Sequence, residues 1–199
     1  MNVFLLSKQF QAVLIYFLLI TFSFSLRAAD SPLLIKNLGE GHYMVRINTN
    51  QKYLLLPVEE TAPDVRISMI INNEEVKWLD VRLAMHKVDY FVPVDISSYS
   101  GRTISCKFKL QTNDPLHTNF SPENTVCCKE MRLSDTFDTA NREKYRPTYH
   151  FSPLYGWMND PNGMVYKDGE YHLFYQYNPY GSQWGNLSWG HAITKDLVN

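Results

Sequence analysis

Between Asp30 and about Leu133, apolar residues fall at every second position in run after run, a rhythm that extended strands use and helices do not. Ile104, Cys106, Phe108 and Leu110 alternate with Thr103, Ser105, Lys107 and Lys109, and Val65, Ile67, Met69 and Ile71 alternate beside Arg66 and Ser68. Further runs lie at 43–47, 53–58, 76–83 and 90–94, parted by turn chemistry such as Asn72-Asn73 and Ser100-Gly101. About six short strands in about 100 residues predict an all-β chain that opens with a small antiparallel β-sandwich. With 199 residues, 45% of them hydrophobic and 14% aromatic, there is material for one core, or for one core and part of another.

The first 29 residues do not share this rhythm. Lys8 and the amino terminus carry the early positive charge, and 12–26 is apolar apart from Tyr16, Thr21, Ser23 and Ser25. That order suits a secretory signal cleaved near Ala28 or Ala29, and the apolar run is shorter than the roughly 20 residues a spanning helix needs. The expectation is a secreted, periplasmic or cell-surface protein with no stable membrane span after cleavage. Cleavage removes Lys8 and Arg27 and no acid, moving the formal charge from −1 to −3, which argues against nucleic acid as a partner. Cys106, Cys127 and Cys128 leave one thiol over if a disulfide forms, and their spacing does not suit a metal site. Cys127-Cys128 could form a vicinal disulfide or remain two inert thiols.

Residues 111–146 change character, with Asn113-Asp114-Pro115, Ser121-Pro122-Glu123-Asn124 and a charged stretch at 129–146. The sandwich is placed at 30–133 and a linker at 134–146. From about 147 the chain turns aromatic and rich in Gly, Pro and Asn. Strands are expected at 164–166 and 171–177, joined by the Asp168-Gly169 hairpin turn, with a third at 187–193. Three strands cannot bury their own faces, so this segment reads as the start of something larger.

The segment Trp157-Met158-Asn159-Asp160-Pro161-Asn162-Gly163 holds the parts a sugar site needs: a carboxylate, amides for hydroxyls, and an aromatic face. Pro161 biases Asp160 toward extended geometry, and Asn162-Gly163 permits a sharp turn directly after it. Alone, such a turn is more often structural than catalytic. Its company changes that reading: Phe174-Tyr175-Gln176-Tyr177-Asn178-Pro179 follows, then Trp184-Gly185 and Trp189-Gly190-His191-Ala192.

These blocks, in this order and spacing, resemble glycoside hydrolase family 32, the invertases, inulinases and levanases, over about residues 145–199. The resemblance implies that 147–199 is the first blade of a five-bladed β-propeller, truncated in this chain, with a funnel-shaped site and a further sandwich domain beyond it. It implies Asp160 as the nucleophile of a configuration-retaining mechanism, Asn159 and Gln176 as partners of fructose hydroxyls, and Trp184 as pocket lining. Trp157, Tyr175, Trp189 and His191 fit packing around the site. The family's stabilising aspartate in an Arg-Asp-Pro block and its acid/base glutamate in a Glu-Cys block are absent. Asp114, Glu123 and Glu130 precede the nucleophile and cannot stand in for them.

The implied substrate is a fructan (levan or inulin) or sucrose, no cofactor or metal is called for, and this chain is expected to be inactive alone. A fructosyltransferase or a non-catalytic fructan-binding protein fits the same residues. In the sandwich, Trp78, Tyr90 and Tyr99 could stack on sugars, although buried core is the commoner fate of such side chains. Asn119-Phe120-Ser121 and Asn186-Leu187-Ser188 fit the glycan-acceptor pattern, which chance supplies often.

Overall fold

The computed structural model describes residues 31–111, 125–138, 147 and 149–197. The expected signal at 1–29, the Asn119 acceptor pattern and most of the expected linker lie outside these. Leu33–Asn199 clusters as one compact unit. Its first part contains β1 (Leu33–Gly39), β2 (His42–Asn48), β3 (Tyr53–Val58), β4 (Val65–Ile71), β5 (Glu74–Val81), β6 (Tyr90–Asp95) and β7 (Thr103–Lys109). A one-turn helix, α1 (Val126–Glu130), and β8 (Arg132–Ser134) follow.

The strands form two antiparallel sheets, β1-β2-β7-β4-β5 and β6-β3-β8. The alternation read from the sequence points inward as expected: Tyr43, Val45, Ile47, Ile67, Met69, Ile104, Cys106 and Phe108 meet Leu54, Leu56, Val58, Val92 and Val94 in one core. Tyr43 and Phe108 stack across β2 and β7 with ring centroids 5.5 Å apart. The β4–β5 connection turns at Asn72 and Asn73, both with positive φ, as a two-residue hairpin requires.

Several expectations shift. The strand expected at 76–83 runs from Glu74 to Val81, and Leu83 makes only an isolated bridge to Val58. Beyond the change of character at 111, Cys127, Cys128 and Met131 are buried in the sandwich core and β8 pairs with β3. All three cysteines are free thiols, so the vicinal disulfide does not form here.

The second part is a three-stranded antiparallel sheet in the order β11-β10-β9, made of β9 (Trp157–Lys167), β10 (Glu170–Asn178) and β11 (Ser188–Thr194). This is the blade expected from the sequence, with Asp168 and Gly169 at positive φ in its hairpin. Gly190 lies opposite Tyr175, and a Cβ there would fall inside the Tyr175 ring, so only glycine lets that aromatic lie flat across the sheet.

Residues 179–187, which join β10 to β11, dock on the sandwich. Asn186 accepts the Asp80 N–H at 2.6 Å and donates to the Asp80 carbonyl at 2.6 Å. β5 is the edge of its sheet, so this one side chain behaves as a partner strand and closes part of an open edge. The Asn186 amide is therefore committed, whatever its match to the acceptor pattern. Arg82 donates to Gln183 Oε1 at 2.6 Å, the Ser182 hydroxyl donates to Glu60 at 2.6 Å, and Tyr180 is buried in the sandwich core. A second seam runs through aromatic rings, with Phe137 edge-on to both Tyr53 and Tyr155, and Tyr177 donating to the Tyr155 carbonyl at 2.6 Å.

Candidate active site

The expected sharp turn at Asn162-Gly163 is absent. The whole motif lies within β9, and neither residue has a positive φ. Phe174 pairs with Gly163 and Asn178 with Trp157, so β9 uses seven residues where β10 uses five. One surplus residue is Asn162. The other arises because Asn159 and Asp160 together face Gln176, between the Tyr175–Pro161 and Tyr177–Met158 pairs. Two bulges thus bracket Pro161, on an edge strand where a residue without an N–H costs no ladder bond. Bulges take up the chain direction that a turn would otherwise have changed, and they re-aim the Asp160 side chain out of the regular in-and-out alternation.

Asn159 donates from Nδ2 to Gln176 Oε1 at 3.1 Å. That bond leaves Asn159 Oδ1 as an acceptor and the Gln176 amide nitrogen as a donor toward a ligand. Asp160 is exposed, and it makes no hydrogen bond or ion pair with another described residue. The register sets Asp160 and Asn159 together opposite Gln176, so a carboxylate and two amides of opposite remaining polarity come from one short stretch of the strand pair, a combination that suits a group bearing several hydroxyls. Trp157 is half-buried and Tyr175 buried, in line with packing, whereas Trp189 is 70% exposed and His191 is exposed. His191 stacks on Phe174 at 4.3 Å and lies 2.9 Å from His172 between ring nitrogens. Burial pushes the Tyr177 phenol up, keeping it a proton donor to its carbonyl partner.

The structure brings Asn159, Asp160 and Gln176 together. Trp184 makes no hydrogen bond or ring contact with them. It sits in the β10–β11 loop, at the end of the blade where β9 begins, and lines a cleft of about 440 Å³ with sandwich residues. Asn178, not foreseen as important, is the hub of that loop. It is 5% exposed, donates to the Gln183 carbonyl at 2.7 Å, and accepts from the Tyr180 N–H at 2.9 Å and from Asn186 at 3.1 Å. An Asn before a Pro is a turn signal that could have marked it.

The blade's other acids, Asp168, Glu170 and Asp196, lie at its opposite end, because β9 must run on to Lys167 before the hairpin that precedes β10. Seven residues of strand separate Asp160 from that hairpin by about 20 Å. A retaining glycosidase needs its second carboxyl about 5 to 5.5 Å from the first. No blade acid meets that distance. Among the described residues no group of three or more His, Cys, Asp or Glu could hold a metal ion, and no helix is long and apolar enough to cross a membrane.

The bulged strand β9 thus carries an exposed carboxylate next to a bonded pair of amides. Residues 39–149 match the family described as a domain of unknown function, DUF4980, and residues 150–199 match the glycosyl hydrolases family 32 N-terminal domain. The first match covers more than half of the chain, which therefore belongs to the DUF4980 family, and the segment that follows it is similar to the N-terminal domain of the glycosyl hydrolases family 32. It is 73% identical over 56 residues to a levanase of Bacillus subtilis, covering 28% of this chain and 8% of the relative. Over 69 residues it is 63% identical to an extracellular exo-inulinase of Aspergillus awamori, covering 35% and 13% respectively. Against a fructan 6-exohydrolase of Triticum aestivum the identity is 62% over 74 residues, covering 34% and 12%. The chain thus spans about a tenth of the length of these curated relatives. No solved structure matches it.

Proposed function

We propose that this chain is the opening part of a secreted enzyme that cleaves β-fructofuranosidic bonds in fructan or sucrose with retention of configuration. Asp160 attacks the anomeric carbon, Asn159 and Gln176 hold fructose hydroxyls, and Trp184 lines the sugar path. The observation that carries this reading is the Asn159–Gln176 bond beside the exposed Asp160 on the double bulge. It supports one half of a double displacement, attack without an acid. The proposed organisation is a signal at 1–29, a sandwich at 30–133, a linker at 134–146 and the start of the propeller at 147–199.

Since no blade acid can protonate the leaving oxygen, the 199-residue chain releases no fructose by itself. General acid catalysis is worth about 10² to 10⁴ in rate, and its loss leaves too little for detection. The test has two arms. Incubation of the 199-residue chain with levan, inulin and sucrose should yield no fructose. In an enzyme that carries the further blades, Asp160→Asn should lower kcat by several orders of magnitude with KM little changed. Fructose release by the 199-residue chain, or an Asp160→Asn enzyme within tenfold of wild type, would contradict the assignment.

A further inference from the structure

Trp184 has little packing to hold it. Its side chain is 69% exposed, so its place in space is set by the backbone on either side of it. Inside the blade that backbone is tied to Asn178, through the Gln183 carbonyl and Asn186. The other anchors come from the sandwich. Ser182 donates to Glu60, Gln183 accepts from Arg82, and Asn186 bonds to the Asp80 backbone, each at 2.6 Å, and these three residues bracket Trp184 in sequence. Adhesion between the two parts does not call for them, because Tyr180 is already buried in the sandwich core. Burial of a ring is non-directional, whereas hydrogen bonds fix direction and distance.

The sandwich side of each bond is itself fixed. Arg82 also donates to the Glu60 carbonyl at 3.2 Å and stands 3.5 Å from Asp64, and Glu60 accepts from the Tyr90 phenol as well as from Ser182. The Asp80 carboxylate takes two hydrogen bonds from Arg66, each 2.9 Å, and the Arg66 guanidinium lies over the Trp78 ring at 4.2 Å. Trp78 is 50% exposed, so the core reading of that residue is overturned and its ring is a platform for Arg66, while Tyr99 does pack against the core. A wall braced in this way places whatever bonds to it. Part-exposed polar contacts of the Arg82–Glu60 kind add little to stability, so their effect falls on where the loop sits more than on whether the chain folds.

We propose that Glu60, Asp80 and Arg82 of the DUF4980 domain are positioning residues for the reaction: by holding Ser182, Gln183 and Asn186 they set where Trp184 stands on the sugar path. The proposal rests on the reading of Trp184 as lining of that path and is independent of the role of Asp160. The experiment is steady-state kinetics on levan, inulin and sucrose with an enzyme that carries the further blades. Trp184→Ala should raise KM about tenfold. Arg82→Ala and Gln183→Ala should each raise KM about threefold to tenfold with kcat within about threefold, the split expected when a binding group is displaced and the reacting groups are not. Gln183→Glu keeps an acceptor for Arg82 and should bring KM back to within about twofold of wild type. In a Trp184→Ala background, Arg82→Ala should add less than about twofold, because the group it places is gone. A role in stability alone would instead lower the urea midpoint of Arg82→Ala and leave KM unchanged. Unchanged KM in Arg82→Ala and Gln183→Ala beside a raised KM in Trp184→Ala would overturn the positioning role and leave the sugar-path reading standing. Full additivity of Arg82→Ala with Trp184→Ala would overturn it as well, since Arg82 would then act through another group. Unchanged KM in Trp184→Ala would remove the sugar-path reading and the proposal together. If Arg82→Ala does not fold, Gln183→Ala, alone and with Trp184→Ala, and its rescue by Gln183→Glu decide.

Discussion

Asn186→Ala removes a side chain of modest size whose hydrogen bonds span the two parts of the molecule. Two of its partners are the N–H and carbonyl of Asp80, both at 2.6 Å, and the third is Asn178 Oδ1 at 3.1 Å. A backbone group left without a partner in a buried setting costs about 1 to 3 kcal/mol. Asp80 is partly exposed, so water recovers some of that cost, and the lower end applies to each of the two groups. The expected loss is about 2 kcal/mol, which for a domain of this size lowers Tm by about 4 to 8 °C. Urea titration followed by tryptophan fluorescence would measure it, and amide exchange at Asp80 should accelerate in parallel because its N–H loses its acceptor. Asn186→Asp should recover only part of the loss, since a carboxylate can accept from the Asp80 N–H and cannot donate to its carbonyl. A loss under about 0.5 kcal/mol with Asp80 exchange unchanged would show that water serves β5 as well as Asn186 does, and the edge-closing argument would fail.

Gly190→Ala should destabilise the blade by about 1 to 3 kcal/mol through overlap with the Tyr175 ring, and the double change with Tyr175→Ala should recover part of that, both read by urea titration. Glu59 is 4% exposed; burial alone would push its carboxyl up, but the N–H groups of His86, Met85 and Lys87 hold it below the usual carboxylate range. Its contribution is therefore fully present above the unfolded carboxyl pKa of about 4.3 and is lost as pH falls through the lower folded value, so Glu59→Gln should flatten the decline in stability between neutral pH and pH 3. Burial pushes the Cys106 thiol up to about 12, and the hydrogen bond to Cys128 together with burial pushes Cys127 up as well. Alkylation by iodoacetamide at pH 8, followed by mass spectrometry, should accordingly be slow at both until the protein is unfolded.

The sandwich was legible wherever one strand face is buried and the other wet, as in β2, β4 and β7, because such strands show their period directly in the residue order. β1 was not seen because it is an edge strand on which only Leu33 and Ile35 are half-buried, and β8 because three residues are too few to show a period. At Asp160 the expected local shape was wrong. Pro and Asn-Gly signal a turn in most contexts, and the sequence does not show that β9 is an edge strand, where the same residues are tolerated as bulges. The lock between Asn186 and Asp80 joins positions 106 apart in sequence, and nothing local to either residue encodes it.

That long separation has a consequence for how the protein is made. Every strand of the sandwich lies before residue 135, so a ribosome releasing the chain from its amino end completes the sandwich before Asn178 and Asn186 emerge. The blade does not have to find its shape in isolation. Its β10–β11 loop arrives at a finished wall, with the backbone of Asp80 and the carboxylate of Glu60 already in position to receive it. During synthesis the front domain thus works as a mould for the three-stranded sheet that follows it.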